Sequence, residues 1–175
     1  ISGIDIDNSG NIFVAGATSN DNQSFNGFNI IPPHEYNMYV VKYNSSGIAA
    51  WVRFVEDITF QEFAITCDAF GNAYFSGRLF NATTFGNISV EGPNWVYDFF
   101  LAKINSAGEF VWVREAPNGA ITGDAGPGNA NFLYCDNSGN VYFSGFQRGS
   151  LDWGNGIVTN ATNISEDVLQ LKYSS

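Results

Sequence analysis

Apolar and polar residues alternate at the start of the chain. Ile4-Asp5-Ile6-Asp7 reads as a half-buried strand with one face inward. Asp7-Asn8-Ser9-Gly10 is turn chemistry: an Asp can bond its own downstream backbone, and Gly10 can supply a positive φ. Residues 11–16 form a second run, so the pattern predicts a β-hairpin. Gly16 then opens a polar excursion over 18–24, followed by a loop element at Phe25-Asn26-Gly27. Pro32-Pro33 and His34 fall in a further loop, because proline cannot donate to a sheet ladder. A second hairpin is predicted from residues 38–43, the turn Asn44-Ser45-Ser46-Gly47, and residues 48–54 around Trp51.

The whole order then recurs. Asp7, Gly10, Asn11 and Gly16 return as Asp68, Gly71, Asn72 and Gly77, and again as Asp136, Gly139, Asn140 and Gly145. Trp51 returns as Trp112. Asp68 lies 61 residues after Asp7, and Asp136 lies 68 after Asp68; a Gly-rich insert around 119–128 accounts for the longer interval. The repeats are assigned to 1–60, 61–129 and 130–175, the last without its second turn glycine and Trp strand. Each unit has two hairpins, hence four strands, and nowhere does a 3.6-residue helical period emerge. Tandem four-stranded units that cannot bury their faces alone describe β-propeller blades, with a solenoid as the other architecture to weigh. Three blades do not close a ring of the usual size, so a segment of a longer all-β propeller is expected.

Charge narrows the partners. The chain carries 17 acidic residues against 7 Lys and Arg, a net charge of −10, which gives nucleic acid no basic face to meet. The acids are scattered and read as solubility. The apolar runs are too short for a membrane-spanning helix, and a chain that opens on Ile1 is expected to be a processed product or a piece of something longer. Cys67 and Cys135 each precede a repeated Asp, where the first unit has Ile6; the position reads as apolar and inward, and the thiols as free.

Candidate chemistry is thin. Asp5 to Gly10 resembles the opening of a calcium loop, but the twelfth position is Gly16 and the other units have Thr66 and Tyr134 in place of Asp5, so no metal site is assigned. Lys42, Lys103 and Lys172 recur in strands, where a stem packed on a neighbour and an anion-binding ring both remain open. Arg53 and Arg114 follow a Trp by two residues and share its side of the strand, where stacking or a structural ion pair is expected rather than ligand binding. His34 is the single histidine and has no legible nucleophile beside it; Glu56-Asp57 and Glu166-Asp167 point to opposite faces of a strand. No cofactor motif is present. Sugar platforms would use loop aromatics, for which Tyr36, Trp95, Tyr97 and Trp153, with Phe28, are the candidates. Asn-x-Ser/Thr triplets begin at Asn22, Asn44, Asn81, Asn87, Asn160 and Asn163.

The run Asp68, Gly71, Asn72, Tyr74, Gly77, then Phe85-Gly86-Asn87, then Asp98, Phe100, Lys103, Gly108 and Trp112 resembles the SBBP ("seven-bladed beta-propeller") repeats. The first unit departs from that pattern at Asn37 and at Phe25-Asn26-Gly27. Such repeats abound in secreted and cell-surface bacterial proteins, including many from Bacteroidetes. The resemblance implies a propeller, an extracellular or cell-surface location and no catalytic residues. The leading expectation is therefore a non-enzymatic propeller scaffold that binds other protein subunits or the rest of its own chain. Its variable loops, 17–37, 78–97, 116–130 and 146–166, would carry recognition. A glycan-binding propeller and a propeller glycosidase or lyase are the alternatives.

Overall fold

A computed structural model of the chain describes residues 1–18, 24–29, 37–56, 63–79, 81–92, 98–115, 124–126, 132–153, 156–161 and 166–174. All regular structure within them is β. The first sheet has the order β1 (Gly3–Ile6), β2 (Ile12–Thr18), β5 (Asn37–Tyr43), β6 (Ala49–Val55), every pair antiparallel. The hairpin β3 (Ser24–Phe25)–β4 (Phe28–Asn29) is inserted between its middle strands. The middle sheet repeats this as β7 (Ala64–Cys67), β8 (Ala73–Leu79), β11 (Asp98–Ile104), β12 (Phe110–Glu115), with the inserted hairpin β9 (Thr83–Phe85)–β10 (Ile88–Val90). In the last sheet, β15 (Val141–Arg148) pairs with β18 (Asp167–Tyr173) on one side. On the other it pairs with β13 (Asp124–Gly126) and β14 (Phe132–Cys135), which follow each other along its length. Its inserted hairpin is β16 (Ser150–Asp152)–β17 (Val158–Asn160).

The turns form where local chemistry dictates. Asp7 accepts the backbone N–H groups of Ser9 and Asn11, and its second oxygen accepts the Asn11 amide at 2.8 Å. Asp68 and Asp136 make the same contacts one and two repeats on. In the second hairpin of each of the first two sheets, Asn44 and Asn105 take over that role. The turn glycines hold φ near +80°, a conformation any Cβ would strain. The first two small hairpins, which the sequence reading leaves as loop elements, use two-residue turns; in the first, Asn26 and Gly27 both have positive φ, the geometry that matches strand twist.

Three apolar clusters record how the layers sit. One joins the first and middle sheets through Phe13, Met38, Val40 and Trp51 against Ile65, Phe75, Phe100 and Val113. A second joins the middle and last sheets through Tyr74, Phe99 and Leu101 against Leu133, Val141, Phe143 and Leu169. The third belongs to the first sheet alone: Val14, Tyr39 and Val41, capped by Phe25 of the inserted hairpin, 4.7 Å from the Tyr39 ring. The middle sheet is thus covered on both faces, and no buried cluster among the described residues joins the first sheet to the last.

The expected propeller is corrected here. The described strands form six separate, open sheets, the three larger ones following one another linearly, and not the closed radial arrangement of propeller blades. Hydrophobic alternation and turn residues act within a sheet; closure depends on the angles between sheets, which neither of them sets. The blade-based scaffold, lectin and glycosidase readings lose their basis with the ring. Two local expectations also change. Gly16 lies inside β2, not at its end, because Tyr39 directly opposite lays its ring across it; a Cβ there would come within 2.5 Å of the Tyr39 hydroxyl. Residues 124–126 of the Gly-rich insert, read as loop, add strand β13 to the edge of β15.

Candidate functional site

Two regions could carry function. The first is a mostly polar cleft of about 80 Å³ where the opening turns of the three repeats meet. It is lined by Ile6, Asp7, Asn8, Cys67, Asp68, Ala69, Cys135, Asp136 and Asn137. Its carboxylates are already occupied. Besides its turn contacts, Asp68 accepts the Tyr74 hydroxyl at 3.0 Å, and Asp136 accepts that of Tyr142 at 3.2 Å. Burial pushes the Asp7 carboxyl up, but hydrogen bonds from Asn11 and Ser9 outweigh it and hold the group below the usual carboxylate range. The Asn140 amide does the same for Asp136. Glycoside hydrolysis needs one carboxyl held protonated as an acid, and these two are held as anions.

The thiols are inert for related reasons. Cys67 and Cys135 are free, as expected, the first half-buried and the second buried. Burial, with the nearby aspartates, raises both, Cys135 to about 11, so neither is a thiolate at neutral pH. Cys67 donates to Asp5 of the first sheet, which also accepts the Cys67 backbone N–H at 2.8 Å and the Thr66 hydroxyl at 3.0 Å. These bonds tie β1 to β7 and explain Asp5 without a metal. Among the described residues no group of His, Cys, Asp and Glu is arranged to hold an ion. Ile6, the first repeat's counterpart of the cysteines, is exposed and not inward as its sequence position suggests.

The other sequence candidates fall into place as packing. Lys42 is buried, its ammonium 5.0 Å from the Phe13 ring centre and donating to the Gly71 carbonyl of the next repeat at 3.4 Å. Lys103 lies over Tyr74 and Lys172 over Tyr142 in the same way. Arg53 and Arg114 stack on Trp51 and Trp112 at 5.9 and 5.4 Å. Trp51 also donates to the Ser106 carbonyl of the middle sheet. Trp153 spends its indole N–H on Thr159 at 2.7 Å and sets its ring against Phe99, so it is a packing residue rather than an open platform. Tyr36, Trp95 and Tyr97 lie outside the described residues, as do His34, Asn22 and Asn163. Phe28 is exposed on β4, and Glu166 pairs with Arg148 at 2.8 Å.

The second region was missed in the sequence. It is the outer face of the last sheet, where Phe132 and Tyr134 on β14, Tyr142 on β15 and Val168 on β18 are all exposed. Strand register places Phe132 opposite Ser144, Tyr134 opposite Tyr142, and Tyr142 also opposite Lys172, so these side chains share one face. The Tyr134 and Tyr142 rings sit 6.2 Å apart. The counterparts of Tyr142 and Val168 in earlier repeats are core. Phe13 and Tyr74 are 0% and 1% exposed where Tyr142 is 36%; Met38 and Phe99 are each 0% where Val168 is 81%. The signal available in the sequence was that the third copy keeps, at Tyr142, the aromatic that Phe13 and Tyr74 bury in the first two.

No protein-family model and no curated protein matches the chain, and its separate, open sheets overturn the SBBP propeller resemblance that the motif residues suggested.

Proposed function

We infer that the chain acts by association: the outer face of its last sheet takes up a further layer of polypeptide, and catalysis is no part of its role. The observation that carries this reading is the contrast at one register position, Val168 against Met38 and Phe99. An apolar face built to be covered, and left bare, marks an interaction surface. The occupied carboxylates and protonated thiols of the three-turn cleft weigh against chemistry there. Among the described residues no helix is long and apolar enough to cross a membrane. A net charge of −10 turns the surface away from phosphate backbones.

The test is uptake of an apolar fluorescent dye, with circular dichroism as the folding control, for the native chain and for Phe132→Lys/Tyr134→Lys/Val168→Lys. The native chain should bind dye and the folded variant should lose most of that signal. Equal signals from the two, both folded, would remove this face from consideration.

A further inference from the structure

We propose that the layer covering the last sheet is the first sheet of a second copy of this chain, stacked head to tail; this rests on the association reading above. Between the sheets of the chain the covering element is the next repeat, while the opposite face of the first sheet is capped over Val14 and Tyr39 by Phe25 of its own inserted hairpin and leaves β1 open. The middle sheet covers the face of the first that bears Phe13 and Met38, and the last sheet covers the face of the middle that bears Tyr74 and Phe99. The face bearing Tyr142 and Val168 is next in that series, and the element that fits it has the same strand plan.

The opposite end of the stack offers that element. Ile4 and Ile6 point outward from β1, on the same side as their cross-strand partners Val14 and Ile12. Ile4 is 62% exposed, whereas Ile65 and Leu133, at the same place in the later repeats, are 7% and 8%. Within the chain, β1 packs on β7 and β7 on β14. Placing β1 of a second copy on β14 continues that row and brings Ile4 and Ile6 against Phe132 and Tyr134. Polar groups continue it as well. Lys42 reaches the Gly71 carbonyl across the first interface, and Lys172, exposed here, would reach the Gly10 carbonyl of the second copy. The two ends differ, so the contact is heterologous and leaves each new copy with a free end.

Two exposed-site variants test this, each blocking one end: Val168→Glu at the tail and Ile4→Glu at the head. Both positions are open to solvent, so the fold should survive either change, and circular dichroism verifies it. In sedimentation equilibrium the native chain should give a concentration-dependent series of oligomers. Each variant alone should be monomeric, its self-association weakened by more than about tenfold. An equimolar mixture of the two should form a 1:1 complex, because the free tail of one meets the free head of the other. Self-association by Ile4→Glu alone would overturn the proposal in favour of tail-to-tail pairing. A mixture that stays monomeric would overturn it too. In that case dye uptake by the native chain would leave the association reading standing with another polypeptide as occupant, and no uptake would end both.

Discussion

The middle and last sheets are built from matching sequence and end in different surroundings. In the middle sheet Tyr74 and Phe99 face a neighbour and are fully enclosed, the Phe99 ring lying 4.2 Å from that of Phe143. In the last sheet Tyr142 and Val168 occupy the same register and meet solvent. The difference is not in propensity or turn chemistry, since Asp136, Gly139 and Asn140 fold their turn as Asp68, Gly71 and Asn72 do. A strand's alternation says that a face wants cover; whether cover exists is decided by what stacks next.

The largest break in that comparison should come from truncating the equivalent β11 and β18 residues. Phe99→Ala empties a site between two sheets and should cost about 3–5 kcal/mol. Val168→Ala removes exposed atoms and should stay within about 0.5 kcal/mol. Urea denaturation of the isolated chain measures both. Equal costs would mean that the last face is covered in solution, which repeating the titration at several protein concentrations would reveal.

A second break uses the glycine that lets the middle sheet close up. Gly77 lies opposite Phe100, and a Cβ there would sit 2.6 Å from a Phe63 ring carbon and 2.8 Å from one of Phe100. Gly77→Ala should therefore destabilise by about 1–3 kcal/mol, as overpacking of a tight core does. The midpoint of thermal unfolding should fall accordingly, and an unchanged midpoint would show that the two rings can move aside.

Much of this was legible before any coordinates. The Asp-x-x-Gly-Asn runs mark turns because their bonds are local: the Asp68 carboxylate reaches only residues 70, 72 and 74. Lys42 over Phe13 and Arg53 over Trp51 follow from cross-strand neighbours and same-face spacing. The ring was not legible, since nothing in a hairpin's sequence states the angle at which its sheet meets the next. Strand β13 was hidden because Asp124-Ala125-Gly126 has no strand propensity and pairs only by lying along the exposed end of β15. The bare face was hidden because alternation places Phe132 and Tyr134 on one face of a strand without saying whether anything covers it; exposure is a property of the stack.

A smaller difference should separate the two tyrosines. The Tyr74 hydroxyl is buried against Asp68, whereas Tyr142 makes the same bond at the surface. Tyr74→Phe leaves a buried carboxylate oxygen short of one donor and should cost about 1–3 kcal/mol; Tyr142→Phe, with water at hand, should cost about 0.5 kcal/mol or less. If chemical denaturation gave equal values, the enclosure of Tyr74 by the last sheet would not be what strengthens its bond.

Acid should act least at neutral pH and then selectively. Asp7 and Asp136 are held below the ordinary carboxylate range in the fold, by their Asn partners and backbone N–H groups, while in the unfolded chain they return to about 3.9. A carboxylate with a lowered folded pKa stabilises the fold at every pH above its unfolded value. It loses that contribution as pH falls through the folded value, where protonation removes the acceptor from the turn. Unfolding midpoints should thus be flat from neutral pH to just above the unfolded value and then decline. Asp136→Asn should flatten part of that decline, since an amide oxygen can still accept from the backbone N–H groups of Ser138 and Asn140 but does not titrate. The same change at Asp7 acts on a turn whose carboxylate also feels the Lys42 ammonium, so it should lower the neutral-pH midpoint more than Asp136→Asn does. Equal midpoints for the two variants would mean that the first turn gains nothing from its lysine, and that the first interface is held by its apolar contacts alone.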